Sequence, residues 1–166
     1  MSIALDTLTF GRLLDLVMPG TCPSRSEART ILQIAQLAAG IDLDDDAAER
    51  SLLGTLTRRL CAVADIPVSS VPVLSPLPGD AEERRMQIGS LANQLATTPA
   101  RELAFIVAYL LIVVDLELAP VEIELLEELR GALDIERGRA TEILVEASEL
   151  VTPGAPAELA SAPAHP

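Results

Sequence analysis

The chain has 166 residues, and its 12 Lys plus Arg against 25 Asp plus Glu leave a formal charge of −13. A field of that sign opposes nucleic acid and anionic membrane and favours cations or basic partners. A 49% apolar content belongs to a folded protein, one large enough to bury its core without disulfides or a structural metal.

The predicted elements follow in chain order. Leu5, Leu8, Leu13, Leu16 and Val17 form an amphipathic pattern over 4–18 that stops at the breaker pair Pro19-Gly20. Ser24 and Glu27 have capping-box spacing and open a second helix over about 25–40, with Ile31, Ile34, Ala35 and Ala38 inward. Asp46 and Glu49 repeat that spacing ahead of a third helix over 47–64, whose stripe is Leu52, Leu53, Leu56, Leu60 and Val63. The proline-rich stretch 65–79 cannot hold a helix, and its valines and leucines predict a loop strapped across the body.

Asp80 and Glu83 open a fourth helix with Met86, Ile88, Leu91 and Leu95 on its apolar side, ending at Thr97-Thr98. Thr98 then caps a fifth over 99–115, with Pro99 at its first position. That helix holds the run LAFIVAYLLIVV, Leu103–Val114, well short of the ~20 apolar residues of a membrane span. It is expected at the centre of the bundle. Pro120 starts a sixth helix carrying Ile123, Leu126, Leu129 and Leu133, and Asp134 is placed to cap a seventh over 135–150. From 151 to 166 the chain is rich in Ala and Pro and reads as a disordered tail, which holds the only histidine, His165.

Cys22 and Cys61 form no CxxC pair and read as small core residues in a reducing compartment. The first residues lack the basic start and cleavage site of an export signal, so a cytoplasmic location is expected.

Two stretches match at an offset of 73 residues: AQLAAGIDLDDDAAERSLLGTL and YLLIVVDLELAPVEIELLEEL. Asp42 aligns with Asp115, Asp44 with Glu117 and Glu49 with Glu122, without a gap from Ile41–Leu56 to Val114–Leu129. Each unit ends one helix in acid-x-acid and starts the next at a glutamate, where the helix dipole favours a carboxylate. Three carboxylates forced onto one turn offer hard oxygen ligands to Ca²⁺ or Mg²⁺. The candidate metal ligands are therefore Asp42, Asp44, Glu49, Asp115, Glu117 and Glu122. The same residues also serve as helix caps and turn-solvating side chains, or as a surface for a basic partner. The spacing is not that of an EF-hand loop.

This pattern resembles the TerB-like family, small helical proteins related to the tellurite-resistance protein TerB and to the helical domain of a membrane-anchored DnaJ co-chaperone. The resemblance covers residues 26–150 and is strongest in VVDLELAPVEIELLEELRGALDI, Val113–Ile135. The family's Asp-Gly-x-hydrophobic-x-x-x-Glu turn is matched by Asp115, Leu118 and Glu122, and by Asp42, Asp45 and Glu49 at the corresponding positions of the first unit. Leu43 and Leu116 stand where the family has glycine, and Asp45 where it has an apolar residue. The resemblance implies an all-α TerB-like domain over 1–150 with an extra N-terminal helix, and a role in stress responses, membrane-linked complexes or metal binding.

No Gly-rich phosphate loop, serine elbow or HExxH motif is present. The expected molecule is a compact bundle of about seven helices with an internal repeat. Its expected function is that of a non-enzymatic interaction or adaptor module with a protein partner that is basic or membrane-associated, without nucleic acid and without direct membrane insertion. The alternative is a divalent-cation-binding or metal-stress protein.

Overall fold

Most helix starts among the described residues carry a side chain that occupies an amide group the helix leaves free in its first turn. The computed structural model describes residues 3, 5–41, 46–73, 80–114 and 118–152, and all regular structure among them is helical. The helices are α1 (Thr7–Val17), α2 (Arg25–Ala39), α3 (Ala47–Ala64), α4 (Ala81–Asn93), α5 (Thr98–Val113), α6 (Pro120–Ala132) and α7 (Arg137–Val151). A 3-10 turn, Val68–Ser70, is the only regular piece between α3 and α4 among the described residues. The chain is an all-α bundle.

Asp6 accepts from the Thr9 N–H at 2.7 Å, Asp46 from Ala48 at 2.7 Å and Asp80 from Glu82 at 2.9 Å. Ser24 and Glu27 complete a reciprocal capping box on α2. Thr97, not Thr98, caps α5, accepting from the Ala100 N–H at 3.4 Å. On α6 the Ala119 N–H donates to Glu122 Oε2 at 2.7 Å, so the N3 glutamate supplies the side-chain half of a capping box on its own. After α1 the chain reverses at Met18–Thr21, where the Thr21 N–H donates to the Met18 carbonyl at 3.1 Å and Gly20 takes φ 73°. This is a type II turn with proline and glycine in their preferred places.

α3 and α6 stop in the same way. Asp65 and Asp134 both adopt left-handed backbone, φ 54° and 56°. The next residues, Ile66 and Ile135, donate back to the carbonyls of Cys61 and Arg130 at 3.0 and 3.1 Å. These are Schellman stops with an aspartate where glycine is usual and a buried isoleucine after it. Asp134 therefore ends α6 and does not cap α7, which begins two residues later than the sequence suggests. α4 also stops early, at Asn93: Gln94 and Leu95 tighten into i→i−3 bonds, the Gln94 side chain accepts from Thr30, and Thr97 is used as the cap of α5.

The internal repeat is visible in the packing. At positions 73 apart, Ser24 and Thr97 cap α2 and α5, Glu49 and Glu122 are buried at the third position of α3 and α6, and Leu52, Leu56 and Leu60 are buried as are Leu125, Leu129 and Leu133. The two hydrophobic helices α2 and α5 make the most extensive helix pair and form the centre. Their starts are joined, Thr97 Oγ1 donating to Glu27 Oε1 at 2.9 Å. α3 covers α2, whereas α6 and α7 each rest on α5, with α4 against α6 and α1 against α7. The strap after α3 takes the place that α7 has after α6. Gln36 on α2 donates to the Pro72 carbonyl, and Tyr109, 73 residues on, hydrogen-bonds Ser148 of α7. In the strap Ile66 is buried and Val71 packs on the core, while Val68 and Val73 face outward.

Candidate functional site

Of the six acidic residues proposed as metal ligands, Asp42, Asp44, Asp115 and Glu117 lie outside the described residues. Glu49 and Glu122 are described, and the fold encloses both, at 2% and 0% exposure. Glu122 gives one carboxylate oxygen to the start of its own helix. Among the described residues no group of three or more Asp, Glu, His or Cys side chains is placed to hold a metal ion. The other buried carboxylate, Glu102 on α5, is held bidentately by Arg139 of α7 at 2.8 and 3.0 Å. Cys61 is buried, which pushes its thiol up despite the nearby Arg29 guanidinium, while Cys22 is exposed and not the core residue expected.

An open, mostly apolar groove lies between α6 and α7. Both helices rest on α5 and make little contact with each other, so a furrow of about 420 Å³ remains between them. Phe105 of α5 forms its floor, Ile123 and Leu126 one wall, and Ala140 and Leu144 the other. The stripe of α6 that enters the core is Glu122, Leu125, Leu129 and Leu133, leaving Ile123 54% exposed and Leu126 half-buried. The segment PVEIELLEELRGAL carries two apolar stripes, and burying one turns the other to the groove. That surplus is the sequence signal for the site. Leu118 and Val145, before α6 and on α7, are also exposed by about half. Met86, expected on the apolar side of α4, is 70% exposed but belongs to a different helix face.

One end of the groove is basic. Arg130 chelates Glu127 at 2.7 and 3.0 Å and gives its remaining Nη1 to the Ile135 carbonyl at 2.7 Å. Arg137, at the start of α7, reaches the same Glu127 carboxylate through Nη2 at 3.1 Å and is otherwise open, its side chain 82% exposed. The hydrogen bond from Arg130, seconded by that from Arg137, holds the Glu127 carboxyl at about 2.

No family model, no curated protein and no solved structure matches this chain. The site is accordingly read from its own chemistry. None of the helices among the described residues is long and apolar enough to cross a membrane.

Proposed function

We propose that this chain is a non-enzymatic protein-interaction module of TerB-like architecture, acting as an adaptor in a stress-related or membrane-associated assembly. The observation that carries the reading is the α6–α7 groove, where Ile123 is exposed and Leu126 only half-buried while the buried positions of α6 are taken by Glu122 and Leu125. An open furrow lined by apolar side chains, with one of them exposed, is a feature that partner-binding surfaces share. The non-enzymatic part is supported by the use of Glu102 in an ion pair and Glu122 in a helix cap, and by burial of the Cys61 thiol. The family assignment rests on the Asp115, Leu118, Glu122 pattern and its echo at Asp42 and Glu49.

The test compares proteins from a cell extract retained by the wild-type chain and by the double variant Ile123→Asp, Leu144→Asp. Partners held only by the wild type support the reading. Identical retention by both removes the groove as the basis of the function.

A second reading, divalent-cation binding at the acidic turns, is favoured by one feature. Ala48 in the first turn of α3 and Val114 just after α5 line the same small cavity, so the described residues next to the two acidic segments meet there. Calorimetric titration of chelator-treated protein with Ca²⁺ and Mg²⁺ decides it. A saturable signal lost in Asp42→Ala or Asp115→Ala supports ion binding, and a flat titration leaves Glu49 and Glu122 as helix-start residues.

A further inference from the structure

α5 and α7 pack on each other and stop at the same place. Their last residues, Val113 and Val151, and the residues that follow them, Val114 and Thr152, line one pocket of about 190 Å³. Ile3 and Leu110 add to its apolar wall, and Tyr109 and Ser148 complete it. An apolar cavity of roughly 150 Å³ admits a benzene-sized ring, so a single ring with a short substituent fits here.

The polar side-chain atoms among these lining residues are three hydroxyls, and the hydrogen of each is committed within the protein. Thr152 Oγ1 donates to the Ser148 carbonyl at 2.6 Å, and Ser148 Oγ donates to the Leu144 carbonyl at 2.7 Å. Ser148 then has no hydrogen left for Tyr109, so the tyrosine is the donor in their 3.3 Å contact. What these hydroxyls offer a ligand is oxygen lone pairs, which accept and cannot donate. The field at the pocket has the same sense. Helix C-termini are the negative ends of the macrodipole, two of them meet here, and neither helix has a basic residue in its last turn. Among the described residues no Lys, Arg or His lines the pocket, and the chain as a whole carries −13. Such a site repels a carboxylate or phosphate and favours a positively charged donor.

We propose that this pocket binds a small primary amine, its ring or branched hydrocarbon body enclosed by Ile3, Leu110, Val113 and Val151 and its ammonium group at the rim beside Tyr109 and Thr152. Thr152 is exposed, so the ammonium keeps contact with water and avoids the desolvation that bars a lone charge from the interior. The site shares no lining residue with the α6–α7 groove and does not rest on the interaction reading.

Four ligands of one shape test the assignment: benzylamine, benzyl alcohol, toluene and benzoate, each titrated into the full chain. Tyr109 is the only tyrosine and there is no tryptophan, so one set of tyrosine ring signals in a carbon–proton NMR spectrum reports from the pocket. Benzylamine is expected to shift those signals saturably and to bind about fivefold more tightly than benzyl alcohol, as for a charge placed at two helix ends. Toluene is expected to bind more weakly still, and benzoate to leave the signals unmoved. Val113→Phe fills the cavity and abolishes the shift. Thr152→Arg, on the exposed rim, weakens benzylamine about tenfold and leaves benzyl alcohol unchanged, with the helicity of both variants checked by circular dichroism. Should Val113→Phe fail to fold, the ligand ranking and Thr152→Arg decide alone. No saturable shift with benzylamine overturns the proposal, as does toluene or benzoate binding equally well. Benzylamine binding that Thr152→Arg does not weaken places the ammonium elsewhere, and that too overturns it.

Discussion

Glu122 shows how one buried carboxylate can be read in two ways until its neighbours are known. Its Oε2 accepts from the Ala119 N–H, a role that an amide oxygen also fills. Glu122→Gln is therefore expected to change the urea midpoint little, while Glu122→Ala loses the cap and leaves a void, at about 1–3 kcal/mol. Equal losses in both variants would show that the negative charge itself matters, as an ion site requires. The pair Glu102–Arg139 is asymmetric, with side-chain exposures of 9% and 38%. Removing the arginine strands a carboxylate in the interior, whereas removing the glutamate lets a guanidinium turn to water. Arg139→Ala is expected to cost about 2–4 kcal/mol and Glu102→Ala about 1 kcal/mol, measured by chemical denaturation. Glu127 carries a pH signature. Its folded value of about 2 lies below the ordinary 4.5, so the stability it adds is complete above 4.5 and is lost as pH falls through 2. A carboxyl titration followed by NMR should show that low midpoint, returning toward the ordinary range in Arg130→Ala.

At the scale of elements, the helix starts were legible because caps are local: Ser24 with Glu27, Asp46, Asp80 and Pro120 lie where their helices begin. Helix stops were less so. Asp134 has the chemistry of a cap, and only its φ of 56° shows it ending α6. Such a backbone costs an L-residue other than Asn or Gly, and Asp pays part of that strain, so Asp134→Gly is expected to stabilise by roughly 0.5–1 kcal/mol and Asp134→Ala to destabilise. Thermal melts of the two variants test this, and opposite shifts are the required outcome. For α6 the sequence holds the leucine stripe Leu125, Leu129 and Leu133 and a neighbouring shorter one, Ile123 and Leu126, that can extend through Leu129 and Leu133. Local pattern cannot rank them, because the choice is made by the side of α6 that meets α5 and by the capping position that draws Glu122 inward.

For the whole molecule, the excess of acid over base is a standing repulsion that folding compresses. Raising NaCl from about 10 to 150 mM shortens the screening length from roughly 30 to 8 Å, and Tm is expected to rise by about 2–4 °C. A fall in Tm would mean that ion pairs such as Arg84–Glu128 outweigh the net repulsion. The sequence by itself determined the helical class, the central place of Leu103–Val114 and the duplicated helix pairs, because helical periodicity, caps and a fixed offset are properties of neighbouring residues. Only the tertiary structure decided that α7 replaces the strap in the second unit, that α6 and α7 stand apart on α5, and that Ile123 and Leu126 line the groove. Those outcomes depend on which face of each helix finds a partner, and that is settled by the packing of segments far apart in the chain.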